Sequence, residues 1–420
     1  MPGRSRFPLL FFLLRARTHT LDRIQNALWR IRIARASGIK KTELRADYAW
    51  RMGDAGTAIP LWREVERARP GNPKWPGLIA RAESERGDFA AAERTLLDAR
   101  ERGTTDALTE INVLRYGRMV RRSNAAIADA EAIVTDPASA ASQVYYAAYY
   151  LMAQNRLDIA RKGFERVRGD KEHGPIVPGQ IAALDRLADA KAQGKPEISG
   201  WLSPVENSVL VREPSSDTLV VGFMLPLGTL ALTANAVHEM LSSKGVNALY
   251  LYDSQQVFHL AGTDRFGPGY QAMIDGIRAL AKELGVKRII TMGGSATGFT
   301  ALRAGLDLGA EGALTFSGQT MMLSWAHATG ARSAHTLWRL RDKVFSQMTN
   351  LQAELRQRTP PLRMEFYYSG ENRMDRMHAD NVRGLPGVRL YPIEGLKRHD
   401  CLSEMAARGY RDLLDGFAEG

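Results

Sequence analysis

Apolar positions along the chain follow two regimes. From about residue 42 to about residue 190 they recur at helical spacing, and the pattern repeats every 34 residues. Gly53-Asp54 and Gly87-Asp88 stand one period apart, and Arg121-Arg122 and Asn155-Arg156 fill the same slots further on. Five residues after each first turn position comes an alanine, namely Ala58, Ala92, Ala126 and Ala160. Twelve residues before these lie Ala46, Ala80, Leu114 and Ala148, and a bulkier column runs through Val65, Ala99, Ile133 and Val167. Two antiparallel helices approach closely only where side chains are small, so these columns predict helix pairs with a turn at each Gly-Asp slot. Pro70 and Pro137 close two of the units.

Beyond residue 204 the period changes. NSVLVR, TLVVGFM, NALYLY, RIITMGG, GALTFSG, RMEFYYSG and VRLYPI are short, nearly continuous apolar runs, mostly separated by helical segments. That alternation predicts a three-layer α/β sandwich over 205–420, with a mainly parallel sheet buried on both faces. Between the regimes, KAQGKPEISG breaks the helical period with Gly and Pro, so 191–204 reads as a linker.

The 34-residue pattern resembles the tetratricopeptide repeat, clearly in its first two units and with departures in the last two. The resemblance implies a multidomain protein whose residues 42–190 form an all-α solenoid with a curved surface able to hold a protein partner. The other reading is that the array packs against its own neighbouring domain.

Net charge is +11, which suggests a nucleic-acid partner until it is mapped. Residues 1–41 hold ten Lys or Arg against a single acid, Asp22, so the excess belongs to an amino-terminal arm and no nucleic-acid partner is expected. Phe7 to Leu14 is too short to span a bilayer. Leu21, Ile24, Leu28 and Ile31 then fall at helical spacing among arginines, which describes a basic amphipathic helix. Such a face either rests on an anionic membrane or caps the first repeat. The lone Cys401 excludes intrachain disulfides and cysteine-based zinc clusters. The expected compartment is the cytoplasm, with the arm as a route to the inner face of the membrane.

The chemistry concentrates after Met292. The strand Arg288 to Met292 runs into Gly293-Gly294-Ser295-Ala296-Thr297-Gly298 and then into a helix. A serine at the apex of a tight strand-to-helix turn projects above the sheet edge, where a histidine can reach it. The amide of Ala296, at the helix start, is a natural oxyanion donor. Here the chain resembles the α/β-hydrolase superfamily, whose usual elbow is G-x-S-x-G; Thr297 occupies the second glycine slot, and Gly298 remains to allow close helix packing. The resemblance implies an acid just after the strand two beyond the nucleophile strand and a histidine after the last strand. Asp375 and His399 hold those positions, with Glu371 as an alternative acid. Asp375 also stands where it could cap the helix RMHADNV. Asp253, after NALYLY, is a loop carboxylate that either lines the cleft or is solvated. Leu225 is the expected second oxyanion donor, because the adjacent Pro226 has no N–H. The superfamily places its lid where 319–358 forms a helical insertion carrying Trp325, Trp338 and Phe345.

The resemblance implies a serine esterase or acyltransferase acting through an acyl-serine on an ester-bearing small molecule or glycan. No metal or organic cofactor is called for. A second reading is a non-catalytic scaffold whose function lies in the repeats.

Overall fold

The computed structural model describes residues 26–104, 112–113, 116–117, 124–200, 207–225, 230–241, 245–253, 257–322 and 350–417. An amino-terminal helical part leads into a seven-stranded, mostly parallel sheet flanked by helices. None of the described helices is long and apolar enough to cross a membrane.

In the helical part, α1 (Gly38–Arg51) pairs with α2 (Ala55–Ala68), and α3 (Lys74–Glu85) with α4 (Phe89–Glu101). They are followed by α5 (Asn124–Thr135), α6 (Ala141–Ala153), α7 (Leu157–Arg166) and α8 (Val177–Ala192). Three turn slots share one backbone state, Gly53, Gly87 and Asn155 having φ of 76°, 82° and 57°, while Arg121-Arg122 lies outside the described residues. Glycine adopts this left-handed state freely, and asparagine is among the residues that best tolerate it. Asp54 and Asp88 then cap the next helix, accepting the N–H of Thr57 and Ala91 at 2.9 Å, whereas Arg156 at the fourth slot makes no such bond. Ala46, Ala58, Ala80, Ala92, Ala148 and Ala160 are fully enclosed where the helices cross. Leu114 and the side chain of Ala126 lie outside the described residues.

Of the amino-terminal arm, residues 1–25 lie outside the described residues; 26–35 is helical. The described residues of its apolar face do not cap the first repeat as one of the two readings expects. Leu28 and Ile31 are 49% and 46% exposed, and Trp29 instead faces Tyr48 with ring centroids 6.2 Å apart.

The sheet contains β1 (Ser208–Val211), β2 (Thr218–Phe223), β3 (Asn247–Leu251), β4 (Arg288–Gly294), β5 (Gly312–Phe316), β6 (Arg363–Ser369) and β7 (Val388–Ile393), in the order β1-β3-β2-β4-β5-β6-β7. Only β1 is antiparallel to its neighbour. The chain leaves β2 towards one edge and returns past it to β4, so the carboxyl ends of β2 and β4 border the crevice where ligands bind in such sheets. Residues of β2 alternate between faces. Leu219 and Val221 meet α10 (Tyr270–Glu283) and α11 (Ser295–Leu308), while Val220 meets the opposite layer.

That opposite layer joins the two parts of the protein. α8 lies against α9 (Ala234–Leu241) and α14 (Cys401–Ala407), the latter numbered after α12 (Gln352–Gln357) and α13 (Arg373–Val382). One continuous apolar core runs from Ala80 through Leu184 and Val220 to Met405. The expected linker is correspondingly fastened down over 191–200, while 201–204 lies outside the described residues. Asn155 donates to Ile198 O at 3.1 Å, Gly200 N–H to Ala153 O at 3.0 Å, and Lys195 pairs with Glu239 at 2.8 Å.

Close approach at this seam sets a test. A Cβ added to Gly179 would lie 2.1 Å from the carbonyl oxygen of Ser403, whereas one added to Gly77 in α3 meets nothing within 4 Å. Gly179→Ala is expected to lower unfolding stability by about 1–3 kcal/mol, and Gly77→Ala to raise it by about 0.5–1 kcal/mol, both read by denaturant melts.

Candidate active site

β4 ends at Gly294, and Ser295, the first residue of α11, has φ 49°. A left-handed residue with a side chain costs about 1–2 kcal/mol, so the turn must be held by its surroundings. Thr297 holds it. Its hydroxyl donates to Gly294 O at 3.0 Å and accepts from Gly294 N–H at 3.2 Å, closing the elbow with the side chain that departs from the usual pattern. The tight contacts fall on its neighbours: a Cβ on Gly293 would sit 2.3 Å from Thr297 O, and one on Gly298 2.5 Å from the Cα of Gly318.

His399 lies in the loop after β7. Ser295 Oγ donates to its Nε2 at 2.8 Å, and its Nδ1–H donates to Asp375 Oδ1 at 2.5 Å. Asp375 is buried in the first turn of α13; the cap of that helix is Asn372, whose side chain accepts from the N–H groups of Met374 and Asp375. The second Asp375 oxygen accepts from Ser317 Oγ and from Ser369 N–H, the latter at 3.2 Å. Glu371, the alternative acid, is exposed and sits 3.9 Å from Lys397 instead of facing His399. Nor does Asp400 bind the imidazole, since it pairs with Arg398 at 3.0 Å. The loops carrying the acid and the histidine are bound to one another, Glu371 N–H donating to Leu396 O at 3.0 Å and Asn372 to Lys397 O at 3.1 Å.

The electrostatics follow from this wiring. Burial by itself raises the Asp375 pKa, but the hydrogen bond and charge of His399, with the donors Ser317 and Ser369, outweigh it and hold the carboxyl below its ordinary value. Burial lowers the His399 pKa, and the Asp375 carboxylate outweighs that in turn, lifting the imidazole above its usual range. With Asp375 accepting from Nδ1–H, Nε2 of the neutral ring is free to take a proton from Ser295.

Ser295 opens on a cavity of about 370 Å³ lined by Leu225, Leu230, Phe316, His399, Leu402 and, from the helical part, Ile176. Leu225, the expected oxyanion donor, therefore reaches the right cavity, and its N–H has no acceptor among the described residues. Ala296 is the second residue of α11, where N–H groups lack an intrahelical acceptor. Of the expected lid, 323–349, including Trp325, Trp338 and Phe345, lies outside the described residues; its flanks meet in a bridge between Met321 and Asn350.

Asp253 is neither solvated nor in this cavity. It is completely buried, as is His259 nearby, and among the described residues both its carboxylate oxygens and the His259 Nδ1 lack a hydrogen-bond partner. His378 is a packing residue whose Nδ1 accepts from Thr320 N–H at 3.3 Å, and burial pushes its pKa down to about 4. Burial raises the Cys401 thiol to about 12, which leaves it unreactive. Sequence reasoning missed Ser317, whose left-handed φ of 47° after β5 aims its hydroxyl at Asp375; the Ser-Gly pair at 317–318 was the available signal. Among the described residues no group of three or more His, Cys, Asp or Glu is placed to hold a metal ion.

Comparison with protein-family models and with curated proteins finds no match to this chain.

Removing the Thr297 hydroxyl while keeping its shape, as Thr297→Val, strands the buried Gly294 N–H and is expected to cost about 1–3 kcal/mol. Thr297→Ser keeps the bracket and should unfold within about 1 kcal/mol of wild type in the same denaturant titration.

Proposed function

We propose that the protein is a serine hydrolase or acyltransferase of the α/β-hydrolase type, carried on a tetratricopeptide-like array. The observation that carries this reading is the unbroken hydrogen-bond chain from Ser295 through His399 to Asp375, drawn from three separate loops at the carboxyl ends of the strands. The acid follows the strand two beyond the nucleophile strand and the histidine follows the last, as in the superfamily the sequence resembles. The elbow strain at Ser295 and the helix start behind it support the same reading.

In this mechanism His399 takes the Ser295 proton as Oγ bonds the ester carbonyl carbon. The N–H groups of Ala296 and Leu225 stabilise the developing oxyanion. The ester C–O bond then breaks, and the departing alcohol receives the proton from His399, leaving an acyl-serine. Water or a second alcohol attacks that ester, gives its proton to His399, and restores Ser295. Asp375 fixes the imidazole tautomer and stabilises its charged form. The ester is carried by a small molecule or glycan. The free end of the helical array is left for a protein partner, and the arm for an anionic membrane surface.

Purified protein is expected to react with a fluorophosphonate probe, and folded Ser295→Ala and His399→Ala variants to lose the label. A folded wild type that takes no label overturns the enzyme reading in favour of a scaffold.

The pH dependence has a defined sign. The base must be neutral, and its pKa is raised, so activity should rise with pH through a midpoint above the ordinary histidine value of about 6.5. Asp375→Asn removes the partner that raises it, while the burial that lowers it stays. The midpoint should therefore move down, with a rate loss on the order of 10³–10⁴, seen in kcat/KM profiles of the two proteins.

A further inference from the structure

Resting on that reading, we infer that the cavity beside Ser295 is a binding site for an aliphatic acyl chain, and that the helical part sets how long a chain it accepts. Most of the wall comes from loops of the sheet: Leu225 and Leu230 after β2, Phe316 at the end of β5, and Leu402 after the histidine. These side chains offer no hydrogen bonds and favour hydrocarbon, and the two charged residues on the lining, Arg398 and Asp400, are paired with each other at 3.0 Å. From the helical part comes Ile176, in the turn that precedes α8.

Ile176 is fixed on both sides. Its carbonyl accepts from Ser403 Oγ at 3.4 Å, and Gly179, one helical turn on, packs its Cα against the Ser403 backbone. On the other side of the cavity Ala231 has a left-handed φ of 71°, inside a tight turn closed by Leu230 N–H donating to Leu232 O at 3.0 Å. Gln180 of α8 donates to the Ala231 carbonyl at 3.3 Å. The helical part thus supplies one wall directly and holds a strained loop that forms another. Without α8 the wall residue is missing and the Ala231 turn loses the side chain that fastens it.

Each methylene that enters an apolar cavity is expected to raise the rate of acylation roughly three- to fourfold until the cavity is full. The experiment uses the full chain and alkyl fluorophosphonates with ethyl, butyl and octyl tails, with the labelling rate of Ser295 measured for each. Wild type should prefer a longer tail to ethyl. Ile176→Trp, which places an indole in the cavity, should cut the octyl rate relative to the ethyl rate by at least about tenfold. Ile176→Ala should move the preference towards the octyl tail, and thermal melts establish that both variants are folded. No labelling of wild type by any tail removes the hydrolase reading underneath. Labelling of wild type with the same tail preference in both variants, or a change equal for all tails, overturns the acyl site alone.

Discussion

A parallel sheet must be covered on both faces, and in this protein one of the covers is borrowed. The layer made by α9 and α14 is completed by α8, which belongs in sequence to the helical part, and the resulting core has no break between the two regions. Burial of this kind is the main favourable term in folding, so α8 and the sheet stabilise one another through this shared core. The geometry at Ser295 depends on it. The loop carrying His399 runs directly into α14, the helix against which α8 packs.

Within that frame the site is organised by oppositely directed pKa shifts. A buried carboxylate alone would be driven towards its neutral form, and a buried imidazole towards its neutral form as well. Brought within 2.5 Å, Asp375 and His399 stabilise one another's charged states and reverse both tendencies. The donors Ser317 and Ser369 keep the carboxylate oriented without competing for the oxygen that faces His399. The serine is held by different means, through the backbone strain of the elbow and the Thr297 bracket.

Much of this was legible in the residues, and the failures have physical causes. Periodicity revealed the helix pairs and the strand runs because packing imposes 3.6- and 2-residue spacings wherever one face is apolar. Ser295 could be named from the strand-to-helix turn, and Asp375 and His399 because the resemblance implies which strands the acid and the histidine follow. Glu371 could not be excluded, since only three residues separate it from Asp375 and the three-dimensional course of the loop decides which one turns inward. The burial of Asp253 was likewise invisible, because a loop carboxylate is enclosed only by what the fold lays over it. Gly and Pro in 191–204 correctly marked the end of a helix, but the composition of a free linker and of a strapped one is the same. Thr297 looked like a departure in sequence and serves as a clasp in space, a role that needs the position of Gly294 to be known.

Asn155 carries the comparison of repeats one step further. At the slot where the first two units have glycine, it keeps the left-handed turn and also reaches Ile198 and Asn235 with its side chain. Glycine would preserve the bend and forfeit both bonds. The loss of repeat consensus in the last unit is therefore a key cut to fit one lock. The last unit has a job beyond the turn that the first two do not share: it registers the helical part against the segment and the helix that lead into the sheet.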